Sequence, residues 1–126
     1  MSLDTLIADT RKAIADDAAN ALASLGSCQA ITYRFWAAQL GVELDSITVR
    51  VEGDLDLRGF FGVDDRVRPG FSGVHVEVTV AGPESEARYA ELAAAVDEHC
   101  PVLDLFKNPV PVSRTLVTSG YLASGG

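Results

Sequence analysis

AANALASLGSCQAITYRFWAAQLG, residues 18–41, is the stretch whose reading decides the fold. Arg34 is its only charged residue, and apolar side chains fall on nearly every side of a helix drawn through it. Leu22, Leu25 and Ile31 fill one arc, and Phe35, Trp36, Ala38 and Leu40 widen it beyond an ordinary amphipathic stripe. A helix apolar all round is buried in a core or spans a membrane. Asn20, Ser24, Ser27, Gln29 and Thr32 interrupt the run, and no Lys/Arg cluster flanks it, which argues against a span. The stretch therefore reads as a central core helix, closed by Gly41 at the position after its last turn.

Working outward, residues 3–17 form an amphipathic pattern, with Leu6, Ile7, Ala13 and Ile14 at roughly helical spacing and Asp4 placed to cap them. Whether this helix breaks before the central one stays open. On the other side, residues 42–52 alternate as a half-buried strand does, Ile47, Val49 and Val51 on one face and Thr48, Arg50 and Glu52 on the other. Residues 53–73 hold five glycines and a proline among alternating acids and bases, and read as a long loop or bent hairpin in which Phe60, Phe61 and Phe71 pack onto a neighbour. Residues 74–81 alternate again, with four valines inward and His75 outward as a solvated strand histidine. Residues 84–98 form a helix with acids in its first turn and Tyr89, Leu92, Ala93 and Val96 on one face. A shorter helix starts at Cys100-Pro101 and runs to Lys107. Residues 110–118, VPVSRTLVT, read as a last strand, and residues 119–126 as a flexible Gly/Ser-rich tail. One α+β domain over residues 1–126 is the expectation, with residues 1–17 as an N-terminal helix or extension.

Composition limits the partners. The net charge is −8, and only Lys12, Lys107 and eight arginines are basic, so neither nucleic acid nor an anionic membrane surface is an expected partner. No basic segment followed by an apolar one opens the chain, which makes the cytoplasm the expected compartment. Two cysteines in such a chain are redox-active or inert more often than they are a structural staple. Cys100 stands immediately before Pro101 at a helix start, where unpaired N–H groups and the helix dipole favour a thiolate. Cys28 lies inside its helix, in line with Leu25, Ile31, Thr32 and Phe35, and its plain alternative is a small buried hydrophobe. A metal site from Cys28, His99 and Cys100 lacks any paired CxxC or HxxxH spacing. No catalytic triad, phosphate loop or dinucleotide fingerprint can be assembled, so no metal and no cofactor are expected.

The two cysteine contexts, ALASLGSCQAITYRFWAAQLG with the strand and loop after it and HCPVLDLFKNPVPV, resemble the OsmC/Ohr family of organic hydroperoxide resistance proteins, and the similarity spans about residues 21–117. The resemblance implies an intertwined α+β homodimer with buried central helices packed with antiparallel sheet. It also implies a thiol peroxidase in which Cys28 attacks an organic hydroperoxide, Cys100 resolves the sulfenic acid, and an external dithiol reductant reduces the disulfide. Two family features are missing. Members begin with several strands that supply an arginine near the reactive thiol, and their central helix opens with an Asn-Pro-Glu-Glu-like segment. This chain has a helix in place of the strands and Asp16-Asp17-Ala18-Ala19 at the opening. Arg34 does not substitute within its own chain, because six helical residues turn it about 240° from Cys28 and raise it about 9 Å; a partner chain would have to supply Arg34 or Arg114. A catalytically weak dimeric binding or scaffold protein is the alternative function.

Overall fold

A computed structural model describes residues 2–119. In chain order it contains α1 (Leu3–Leu40), β1 (Ser46–Leu55), α2 (Leu57–Phe61), β2 (Phe71–Ala81), α3 (Glu86–His99) and α4 (Pro101–Lys107). The two helices read from the first forty residues are one. Nothing between Asp16 and Asn20 interrupts the i to i+4 ladder, since neither proline nor glycine occurs there, and α1 runs unbroken for 38 residues. Its N-cap is Ser2 rather than the expected Asp4: the Ser2 hydroxyl accepts from the Thr5 N–H at 3.1 Å. At the other end Gly41 takes φ 68° and ψ 31° and donates its N–H to the carbonyls of Ala37 and Ala38. That left-handed conformation favours a residue without Cβ. Gly41→Ala is expected to lower stability by about 1–2 kcal/mol in chemical denaturation, although an added Cβ would meet no neighbouring atom.

The sheet is an antiparallel pair whose register sets Ile47 against Val80, Val49 against Val78 and Val51 against Val76. These residues form the half-buried face, and Thr48, Arg50, Glu77 and His75 point outward, as the alternation predicts. The loop between the strands is shorter than expected. β1 continues to Leu55, and the Asp56 side chain accepts from the Arg58 N–H at 3.0 Å, capping the single turn of α2. Of the three loop phenylalanines, Phe60 and Phe61 stack edge to face on each other, and Phe71 packs against Phe106 of α4.

α1 packs on β1, α3 and α4, and its buried residues, Leu25, Gln29, Tyr33 and Ala37, form one stripe that repeats every fourth residue. Tyr33 and Ala37 join Val42, Leu92, Val96 and Cys100 in the core. The all-round burial expected for α1 is not reached within one chain: Ile31 is 68% and Phe35 55% exposed. Two strands and two short helices are not wide enough to wrap a helix roughly 57 Å long. The expected strand at residues 110–118 is also absent; Val112, Leu116 and Val117 are solvent-exposed and pair with no strand among the described residues. Alternating apolar residues make a strand only when they are docked on a sheet edge, and here residues 110–118 dock on neither edge of the β1–β2 pair. The expected tail lies, apart from Ser119, outside the described residues. Among the described residues no helix is long and apolar enough to cross a membrane.

Candidate active site

Cys28 is carried by the middle of α1, one position before the buried stripe residue Gln29. Cys100 occupies the break between α3 and α4, serving as the last cap of one helix and the first of the other. The break is local in origin. Pro101 has no N–H to offer and disfavours helical geometry in the residue before it, so Cys100 turns to φ −76° and ψ 112°. Its own N–H still donates to the Val96 carbonyl at 2.9 Å, and its carbonyl accepts from the Asp104 N–H at 3.0 Å. The corner therefore holds the Cys100 side chain inward, 1% exposed, against α1.

There the two sulfurs meet. Cys28 Sγ and Cys100 Sγ lie 3.3 Å apart, both as free thiols, although the residues are 72 positions apart in sequence. The bond length of a disulfide is about 2.05 Å, so oxidation asks for a side-chain movement on the order of 1 Å. Cys28 is the more accessible of the pair, partly exposed where Cys100 is buried. Thr32, one turn beyond Cys28, donates its hydroxyl to the Cys28 carbonyl at 2.6 Å and stands 3.9 Å from its sulfur.

Burial pushes the Cys100 thiol up, but the Leu103 backbone N–H, the Cys28 thiol and the Gln29 and Thr32 side chains outweigh it and leave the thiol below its ordinary value of 9.0. None of those groups carries a charge. His99 does not join them: its Nδ1–H donates to the Ala95 carbonyl at 2.7 Å, and its ring stacks on Trp36 with centroids 4.3 Å apart. Arg34 is exposed on another face of α1, and Arg114 is exposed in the C-terminal segment. Among the described residues no three His, Cys, Asp or Glu side chains are close enough to hold a metal ion.

A pair of thiols poised in this way, on a long helix backed by an antiparallel sheet, can be compared with known proteins. The family model for OsmC-like proteins matches residues 20–114, well over half of the chain and inclusive of both cysteines. The chain belongs to the OsmC-like family. A solved OsmC-like protein from Mycoplasma pneumoniae has a similar fold, with a TM-score of 0.63 at 17% identity over 70% of this chain. The alignment takes in 59% of that protein, so this chain spans about three-fifths of its length. No curated protein matches the chain.

Within this OsmC-like chain the structure brings together the two cysteines singled out from sequence and separates His99 from them. It also adds two residues that sequence reasoning passed over. Gln29 counted only as a polar interruption of an apolar run, yet it is 2% exposed and belongs to the buried stripe. Thr32 counted as a neighbour of Cys28 and not as a donor. Thr32, four residues after Cys28, lies beside it on the same helix face, which is the signal that could have found it; no such spacing signal marks Gln29. A cleft of about 1110 Å³ lies elsewhere, between the start of α1 and the β1–α2 corner, lined by Leu6, Ile7, Leu55 and Phe61 among others. It contains neither cysteine.

Proposed function

We propose that this chain is a thiol-dependent peroxidase that reduces organic hydroperoxides by a two-cysteine mechanism, in line with its membership of the OsmC-like family. The observation that carries the reading is the 3.3 Å approach of Cys28 and Cys100 Sγ. Cys28, the more accessible sulfur, attacks the terminal peroxide oxygen as a thiolate; the O–O bond breaks, an alkoxide leaves and is protonated to the alcohol, and Cys28 becomes a sulfenic acid. Cys100 then attacks that sulfur, forming the disulfide and releasing water. The peroxide has gained two electrons and the dithiol has lost them. An external dithiol restores the thiols by exchange through a mixed disulfide. A reducing compartment such as the cytoplasm suits a chain with two free cysteines.

Consumption of an organic hydroperoxide in the presence of a small dithiol tests the reading. Sustained consumption by the protein above that of the dithiol alone is expected, and consumption equal to that of the dithiol alone overturns it. A non-catalytic binding or scaffold role is then favoured, supported by the uncharged character of the groups acting on the Cys100 thiol and by the cleft beside α1. Either role is proposed for a homodimer. Ile31, Phe35, Val112, Leu116 and Val117 are large apolar side chains left solvent-exposed in one chain, and a second copy covering them supports that assembly. Light scattering across a dilution series is expected to return the mass of two chains; a monodisperse single chain at micromolar concentration overturns the dimer.

A further inference from the structure

One polar atom of the site has no partner. Gln29 is 2% exposed, and among the described residues its enclosed Nε2 has no hydrogen-bond acceptor. A buried amide left unpaired costs stability, so its persistence at the thiol pair calls for a state in which the partner exists. The neutral dithiol is not that state, because an S–H is a weak acceptor, whereas a thiolate is a strong one.

Resting on the peroxidase reading, we propose that Gln29 is a positioning residue for the thiol pair, its Nε2–H donating to the Cys100 sulfur whenever that sulfur carries the negative charge. The groups facing Cys100 admit this role. From α1 they are Cys28, Gln29 and Thr32; from α4 the Leu103 N–H; from the end of α3 His99, whose ring is turned onto Trp36. Tyr33 shares the same core, and burial together with the nearby Asp97 holds its hydroxyl protonated well into the alkaline range. Among the described residues no carboxylate, ammonium or guanidinium acts on the Cys100 sulfur. The lowered Cys100 thiol has Gln29 among its causes, after burial, the Leu103 N–H and Cys28.

The held charge sets the course of the proton. When Cys100 carries the charge, it stands 3.3 Å from the Cys28 thiol. It takes the Cys28 proton as Cys28 attacks the peroxide, then passes it to the departing alkoxide, which leaves as the alcohol. Cys100 is again a thiolate when it attacks the Cys28 sulfenic acid, and hydroxide departs from that sulfur. One thiol, one thiolate and one hydroperoxide thus become one disulfide, one alcohol and one hydroxide, with two hydrogens and one negative charge on each side. The Gln29 amide gains its acceptor in the two states that carry charge on Cys100 and loses it between them.

Two measurements test the assignment. In the wild-type protein, the Gln29 side-chain amide proton observed by NMR is expected to shift with pH on the same midpoint as the Cys100 13Cβ resonance. An amide proton that ignores that titration overturns the proposal, and this arm needs no variant. Gln29→Met keeps the volume and removes the donor. It is expected to raise the Cys100 midpoint and to lower kcat/KM for an organic hydroperoxide about tenfold at neutral pH, with the gap closing at alkaline pH where the thiolate forms unaided. A pH-independent loss, or an unmoved Cys100 midpoint, overturns it. The NMR titration does not depend on turnover: a moved midpoint in a protein that consumes no peroxide would defeat the peroxidase reading and leave the Gln29 contact standing.

Discussion

One equivalent of an organic hydroperoxide is expected to join Cys28 to Cys100 in an intramolecular disulfide, with neither sulfur oxidised further. The two sulfurs start 3.3 Å apart, so the sulfenic acid on Cys28 meets its resolving thiol without any rearrangement of α1 or of the α3–α4 corner. Intact-mass spectrometry reads the result directly, as a loss of two hydrogens instead of a gain of two oxygens. Cys28→Ser is expected to abolish peroxide consumption, a fall on the order of 10³-fold or more as for the removal of other nucleophiles. Cys100→Ser is expected to leave a single turnover that ends in a trappable sulfenic acid or an over-oxidised Cys28. A wild-type protein that stays fully reduced under excess hydroperoxide would replace the peroxidase with the binding role. The pH dependence has a definite sign. Burial raises the Cys100 thiol, and the Leu103 N–H and the neighbouring side chains lower it further than burial raises it. Disulfide formation should therefore persist below the ordinary thiol value of 9.0 and fall away as pH drops through the lowered one. The stability linked to the same group is present above the unfolded thiol's value and lost as pH falls through the folded one.

Leu92→Ala is expected to destabilise the fold by about 2–5 kcal/mol, a large part of the roughly 5–15 kcal/mol available to a domain of this size. Leu92 is completely buried on α3, in the core it shares with Tyr33, Ala37, Val42, Val96 and Cys100. The cost has two parts, the lost transfer of the isobutyl group out of water and the cavity left in a region that cannot collapse onto it. The same cavity would loosen the α3–α4 corner that holds Cys100 against α1. Leu92→Ala is thus expected to slow disulfide closure as well as to lower the urea midpoint at fixed protein concentration. Val63→Ala serves as the comparison, since Val63 is 71% exposed and its truncation should change stability by no more than about 0.5 kcal/mol. Equal effects of the two substitutions would show that the core does not lie between α1 and α3.

The elements that announce themselves locally were readable without the fold. Gly41 ends α1 because only a residue lacking Cβ takes φ 68° without strain. Pro101 begins α4 because its missing N–H costs nothing at a first helical turn. The valines of β2 point inward because strand side chains alternate. The misreadings came from features that depend on distant residues. Residues 110–118 have a strand's composition, but they pair with neither edge of the β1–β2 sheet, and propensity alone does not supply the missing hydrogen bonds. α1 has apolar residues on nearly every side, but the rest of one chain covers only the stripe from Leu25 to Ala37.

The candidate site divides along the same line. Residue types, order and local context single out Cys28 and Cys100, because a thiol at a helix break and a thiol within an apolar helix are visible in a dozen residues each. Their meeting is a property of the tertiary structure alone. A separation of 72 positions places no constraint on distance, and the 3.3 Å contact exists because α3 packs its Leu92 and Val96 face on α1 and the Pro101 corner then turns Cys100 inward. The burial of Gln29 was equally out of reach of periodicity, which counts an amide as polar and sends it outward. Only the packed helix pair decides that this amide is enclosed, since whether a polar side chain is buried depends on what stands opposite it.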